Sequence, residues 1–122
     1  MPSDDVYELF QNGTRLLEGR DYHAAAIPLR RARDLEPDKT SIREALGRAL
    51  FGAQHYTEAA AEFEAVVERA PTNDYALFCL GRSLQQLGRH REARKPLALA
   101  CQLRPERSDY KLYRDRSRSQ AA

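Results

Sequence analysis

The chain has 122 residues, 42% hydrophobic and 31% charged, a balance expected of a soluble, helix-rich domain that buries roughly two thirds of its unfolded surface. No apolar run approaches the roughly 20 residues of a membrane span, and the opening MPSDDVYELF has neither the basic region nor the apolar core of a signal peptide. Cys79 and Cys101 match no metal spacing and are too few for a disulfide framework, so a reducing, cytoplasmic setting is expected. The net charge of +2 is unevenly spread: residues 1–73 carry 9 Lys/Arg against 13 Asp/Glu, a balance of −4, and residues 74–122 carry 11 against 5, a balance of +6.

Taken in order, Ser3, Asp4 and Asp5 precede Val6-Tyr7-Glu8-Leu9-Phe10, a polar cap ahead of helical apolar spacing. Asp21 is placed to cap a second helix, which ends by Glu36-Pro37 because the residue before a proline disfavours the helical region. Ser41 and Glu44 stand three apart as a capping box for the next helix, which carries Ala45, Leu46, Ala49 and Leu50 at helical spacing and turns at Phe51-Gly52-Ala53-Gln54. A partner helix runs from Tyr56 to Ala70 and stops at Pro71. The third unit runs from Asp74 through Leu87-Gly88, turns, and continues from Arg91 to Arg104, stopped at Pro105. Ser108-Asp109 then caps a short last helix with Tyr110, Leu112 and Tyr113. The expectation is seven helices and no strand. Pro28 and Pro96, inside the second and sixth helices, predict local bends.

A shift of 34 residues superimposes the chain on itself. Gly13, Gly47 and Gly81 share one column, Ala25, Ala59 and Ala93 another, and Pro37, Pro71 and Pro105 a third. Leu16, Leu50 and Leu84 form a fourth, and Tyr22, Tyr56 and His90 a fifth. Ungapped columns of this kind mark tandem supersecondary units. Each mid-helix glycine costs about 1 kcal/mol relative to alanine, which predicts close approach of the partner helix, with the alanine column as its small counterpart. Ile42, Ala45 and Ala49 of the second unit, and Ala76, Cys79 and Ser83 of the third, are expected to press on the unit before. The first unit has Glu8, Gln11 and Arg15 there, as befits a helix that nothing precedes. The last helix puts Tyr110 and Tyr113 in those columns and then turns polar with Arg114, Arg116 and Arg118, like the solvating cap of an open solenoid.

These residues resemble the tetratricopeptide repeat family. The Leu46-Gly47 step, Leu50, Tyr56, Ala59, Phe63 and Pro71 match that motif in the middle unit, and Leu80-Gly81, Leu84, Gly88, Ala93 and Pro105 match it in the third. Gly13, Leu16, Tyr22, Ala25, Ala32 and Pro37 match it in the first, where Asn12 departs from the usual Leu. Leu9, Arg43 and Leu77 stand where the motif commonly has Trp. The resemblance covers residues 6–107. It implies an all-α, right-handed α-solenoid of three repeats (6–39, 40–73 and 74–107) and a capping helix over 108–119, read as a single domain over 1–122.

It also implies that the first helix of each repeat lines a concave groove. By register the groove residues are Tyr7, Phe10, Thr14 and Leu17 in the first unit. The second unit supplies Ser41, Glu44, Arg48 and Phe51, and the third Tyr75, Phe78, Arg82 and Gln85. Aromatic side chains beside arginine are what interaction hot spots are made of. The Lys/Asn/Lys/Arg clamp by which some members of the family hold a chaperone's terminal carboxylate has no counterpart, because its columns hold Phe10, Thr14, Ala45, Tyr75 and Cys79. The partner expected is therefore a protein or peptide with apolar and acidic residues, gripped by aromatic contacts and by Arg48 and Arg82.

No catalytic or metal-binding constellation is visible. His23, His55 and His90 are expected to be spread along the solenoid, too far apart to share a metal. No phosphate loop, nucleophile elbow or paired-carboxylate pattern is present, so no cofactor is expected. Cys79 is expected in an inter-repeat packing column and Cys101 beneath the cap. The expected function is a non-enzymatic protein-interaction module, adaptor or scaffold. The rival readings are self-association through the uneven charge and nucleic-acid binding through Arg89, Arg91, Arg94, Lys95, Arg114, Arg116 and Arg118.

Overall fold

A computed structural model describes residues 5–121. Among these residues seven α-helices follow one another: α1 (Val6–Glu18), α2 (Tyr22–Leu35), α3 (Thr40–Gly52), α4 (Tyr56–Arg69), α5 (Asp74–Gln86), α6 (His90–Leu103) and α7 (Ser108–Ala121). No strand occurs among the described residues, and none of their helices is long and apolar enough to cross a membrane. α1/α2, α3/α4 and α5/α6 form hairpins, each hairpin packs on the next, and α7 packs on α6 and α5.

The hairpin turns repeat in backbone detail. Arg20, Gln54 and Gly88, one per unit, take positive φ of 61°, 66° and 76°. Beyond each, a backbone N–H returns to a leucine carbonyl: Asp21 to Leu16 at 2.9 Å, His55 to Leu50 at 2.8 Å and Arg89 to Leu84 at 2.9 Å. A left-handed residue followed by a return bond satisfies carbonyls that the helix end would otherwise orphan. The residues before Pro37, Pro71 and Pro105 are driven out of the helical region in the same way, Glu36 to φ −133° and ψ 75°, Ala70 to the same angles and Arg104 to −134° and 73°.

Helix starts depart from the sequence expectation. Asp5 caps α1, accepting from the Tyr7 N–H at 2.9 Å; Ser3 and Asp4 lie outside the described residues. Asp21 stands at the start of α2 but its side chain accepts no capping bond. The Ser41–Glu44 capping box does not form, because α3 already begins at Thr40 with Lys39 as its cap, which places Ser41 inside the first turn. Glu44 instead accepts from Asn73 Nδ2 at 3.2 Å, and Asn73 caps α5 through the Ala76 N–H at 3.1 Å. Ser108 and Asp109 likewise lie inside α7, which is as long as α2, α4 and α6 rather than short. Both prolines sit in unbroken helices, Pro28 half-buried and Pro96 buried.

The glycine column does not meet the alanine column. A Cβ on Gly13 would stand 2.4 Å from Leu29, one on Gly47 2.8 Å from Phe63, and one on Gly81 2.4 Å from Leu97. Each hairpin is closed by a large side chain seated on a glycine, and Leu29, Phe63 and Leu97 are all fully buried. Ala25, Ala59 and Ala93 are buried beside them as spacers. Ile42, Ala45 and Ala49 are buried between hairpins, whereas Glu8, Gln11 and Arg15 are exposed. At the far end Tyr110 is buried and its hydroxyl donates to Asp74 Oδ2 at 2.7 Å. Cys101 packs with Leu77, Ala100 and Tyr110, beneath α7 as expected.

One buried charge cluster crosses the first junction. Glu62, 5% exposed, accepts from Arg33 at 2.6 Å and Arg43 at 2.8 Å, tying α2, α3 and α4 together. Replacing Glu62 by Gln leaves two guanidinium groups facing a neutral amide. Because the Arg33 and Arg43 side chains keep 24% and 19% exposure, the expected loss is about 2 to 3 kcal/mol rather than the full cost of a wholly buried broken pair, read by urea unfolding. Gly47→Ala is expected to destabilise by about 1 to 2 kcal/mol despite alanine's better helix propensity, because the rigid Phe63 ring blocks the added methyl; an unchanged melting temperature would contradict that packing role.

Candidate peptide-binding groove

Five helices converge on a cleft of about 360 Å³ lined by Leu17, Glu18, Arg20, Tyr22, Arg48, Phe51, Phe63, Tyr75, Phe78, Cys79 and Arg82. The first helices α3 and α5 supply most of its walls, because residues three and four apart share one face of a helix. Tyr22 reaches in from α2 over Gly52, where any Cβ would stand 2.3 Å from its ring. Phe51 meets Tyr56 edge-on with centroids 5.1 Å apart. Phe78 stacks on Tyr110 at 4.5 Å and 25°, and meets Tyr113 edge-on at 5.6 Å.

The charges are placed against these rings. The Arg82 guanidinium lies 3.9 Å from the Tyr113 ring centroid and 5.4 Å from that of Phe51, cation–π distances. Its Nε is buried without a protein acceptor. Neither Arg48 nor Arg82 has a carboxylate partner among the described residues. Tyr75 and Cys79, one turn apart on α5, both line the cleft. Burial, then the neighbouring Cys79, pushes the Tyr75 phenol above its ordinary range. Burial pushes the Cys79 thiol up to about 12, so both groups are neutral at physiological pH.

The structure brings Leu17, Arg48, Phe51, Tyr75, Phe78 and Arg82 to this cleft, out of the residues placed there by register. The other candidates stand apart from it. Tyr7 is 66% exposed and accepts from Gln11, Phe10 is half-buried against the first core, and Thr14 donates to the Gln11 carbonyl. Ser41 is exposed on the first turn of α3, and Glu44 is engaged by Asn73. Gln85 is a correction: only 8% exposed, it donates to the Tyr113 carbonyl at 2.7 Å and to Ser117 Oγ at 2.6 Å. It holds α7 in place instead of facing a ligand, because α7 fills the position that a further repeat would occupy.

Glu18, Arg20, Tyr22, Phe63 and Cys79 belong to the cleft although register did not place them there. Tyr22, Phe63 and Cys79 sit in packing columns, outside the first-helix positions from which the groove was read. Arg20 projects from a left-handed turn residue, outside any helical face. The histidines are a second correction. His23 and His55 meet edge-on at 5.6 Å, since stacking of the hairpins brings successive turns together. No group of three or more His, Cys, Asp or Glu among the described residues could hold a metal ion.

The tetratricopeptide repeat family model matches residues 10–74 and 44–108. The chain belongs to the tetratricopeptide repeat family. No curated protein matches it in sequence. Among solved structures, MamA of MSR-1 is similar with a TM-score of 0.88 and 26% identity over 96% of this chain and 67% of that one. A MamA RS-1 double mutant gives 0.92 and 23% over 98% and 67%. This chain thus spans about two thirds of the length of those MamA chains. The first tetratricopeptide domain of Spaghetti (RPAP3), bound to the HSP90 peptide SRMEEVD, gives 0.86 and 18% over 99% and 95%, a likeness of fold. A protein-interaction module is the function that this family and fold support.

The neutral Cys79 thiol provides a check on the cleft. At pH 8 iodoacetamide is expected to label Cys79 at least tenfold more slowly in the native tetratricopeptide protein than in the urea-unfolded chain, since the thiolate is the nucleophile. Equal rates, read by mass spectrometry, would show that the thiol is not held neutral.

Proposed function

We propose that this chain is a non-enzymatic adaptor of a cytoplasmic assembly, binding one segment of a partner protein along its concave groove. Apolar side chains of that segment seat among Tyr22, Phe51, Tyr75 and Phe78, and its acidic groups meet Arg48 and Arg82. The observation that carries this reading is an aromatic cleft lined by two arginines, Arg48 and Arg82, that have no carboxylate partner among the described residues, with Arg82 held over the rings. A cation desolvated beside rings gains from an anion supplied by a ligand, and a charge-assisted hydrogen bond contributes roughly 1.5 to 3 kcal/mol.

The proposed ligand is not a chaperone tail held by a terminal-carboxylate clamp. The columns of that clamp hold Phe10, Thr14, Ala45, Tyr75 and Cys79, which leave no cluster of lysine and asparagine donors. Self-association is the second reading, favoured by the −4 balance of residues 1–73 against +6 for residues 74–122; it makes the chain a scaffold for its own copies. A mass that rises with concentration and falls with salt would favour it.

Selection from a displayed peptide library is expected to enrich sequences that combine an aromatic or large aliphatic residue with Asp or Glu. Arg48→Glu/Arg82→Glu is expected to weaken an enriched peptide by about 100-fold, and Tyr75→Ala/Phe78→Ala by a similar factor, as for hot-spot residues, with circular dichroism confirming both folds. Enrichment of basic peptides, or affinity untouched by both double variants, would overturn the groove assignment.

A further inference from the structure

The outer face, built by α2, α4 and α6, has two junctions of opposite character although their residues occupy the same columns of the repeat. The junction on the α2 side of α4 is closed by ions. Glu62 binds Arg33 and Arg43, Arg30 meets Glu58 at 2.9 Å, and Arg69 pairs with Asp38. One repeat further on, each of these contacts is gone. The columns of Arg33, Arg43 and Glu62 hold Val67, Leu77 and Pro96. Those of Arg30 and Glu58 hold Glu64 and Glu92, two like charges, and those of Asp38 and Arg69 hold Thr72 and Leu103.

Where the ions would close the surface, a cleft of about 530 Å³ runs between α4 and α6 over Leu77, Leu80 and Leu84 of α5. Its lining extends from Thr57 to Glu68 on α4 and from Arg89, the cap of α6, to Leu99 on α6, about three turns of each, or about 16 Å at 1.5 Å per residue. A trough of that length between two helices takes the apolar ridge of a third, at spacing i, i+3 and i+7.

The rim selects the charge of the occupant. Arg89 and Glu92 neutralise each other through bonds of 2.8 and 2.5 Å, with Glu64 in weaker electrostatic reach of Arg89. Glu64 and Glu68 then stand one turn apart on the α4 wall with no ion pair among the described residues, against a single Lys95 on α6. Pro96 adds an acceptor: without an N–H it leaves the Glu92 carbonyl lacking its helical donor. We propose that this outer cleft is a second docking site, separate from the groove, for an amphipathic helix of a partner protein whose apolar ridge is flanked by lysine or arginine.

The test uses the whole chain and two fluorescent synthetic helices. Both carry leucine at i, i+3 and i+7; one has lysine beside the ridge and the other glutamate. Anisotropy is expected to show saturable binding of the lysine helix, at least tenfold tighter than the glutamate helix. Glu64→Lys/Glu68→Lys, two exposed positions whose replacement leaves the core intact, is expected to reverse that preference, while Arg48→Glu/Arg82→Glu leaves it unchanged. No binding of the lysine helix, equal binding of the two helices, or loss of binding only in the groove variant would each overturn the proposal. Sedimentation equilibrium covers the remaining occupant: a dimer of the wild type made monomeric by Val67→Asp would mean that a second copy fills the cleft.

Discussion

Everything in this molecule depends on the seating of a large side chain on a glycine within each hairpin. Leu29 on Gly13, Phe63 on Gly47 and Leu97 on Gly81 bring the paired helices to a separation that no β-carbon at those positions would allow. Once that separation is set, the leucine column that ends each first helix returns its carbonyl to the turn, and the left-handed residue of the turn aims the second helix back. The alanine column then fills the narrow space beside the contact. The unit is stiff because its packing leaves little alternative, and three copies placed in series inherit the same geometry.

Stacking of the hairpins uses different physics at different junctions. On the groove side apolar and aromatic contacts predominate, joined by the Asn73–Glu44 hydrogen bond and ending in the stack of Phe78 on Tyr110 that helps to dock α7. On the outer side the first junction is ionic and the second is apolar. A buried carboxylate shared by two arginines is an expensive way to fill space, since the ions lose water on folding, yet it ties α2, α3 and α4 together across the junction. The apolar replacement one repeat later has no such desolvation cost, and it does not close the surface. The same columns therefore seal one junction and leave a trough at the other.

The groove shows how function is laid over a packing repeat. Phe78 serves both, with one face against α7 and an edge in the cleft. Arg82 is held by Tyr113 and Phe51 and so presents its charge from a fixed position, with less side-chain freedom to lose when a ligand arrives. α7 thus does more than cover an apolar end, because its Tyr113 is the platform on which the groove arginine rests. The loss of Gln85 from the groove has the same origin: its amide is spent on Tyr113 and Ser117.

Periodicity determined the number of helices and their order, because apolar spacing, prolines before each new unit and glycines at fixed intervals are local properties of the chain, and the likeness of the repeated residues to the tetratricopeptide motif pointed to the family. Register also reached Arg48, Phe51, Tyr75, Phe78 and Arg82, since residues on one face of a helix stay together whatever packs behind them. It also placed Ile42, Ala45 and Ala49 between hairpins and Cys101 beneath α7, but most side-chain partners across helices were beyond it. That each glycine receives a leucine or phenylalanine, that His23 meets His55, and that Tyr22 and Cys79 open onto the cleft depend on how one hairpin rotates against the next. So does the difference between the two outer junctions, where single residues in matched columns decide between an ion cluster and an open trough. A repeat defines what every unit shares, and only the packed structure reveals what each unit does with its departures from it.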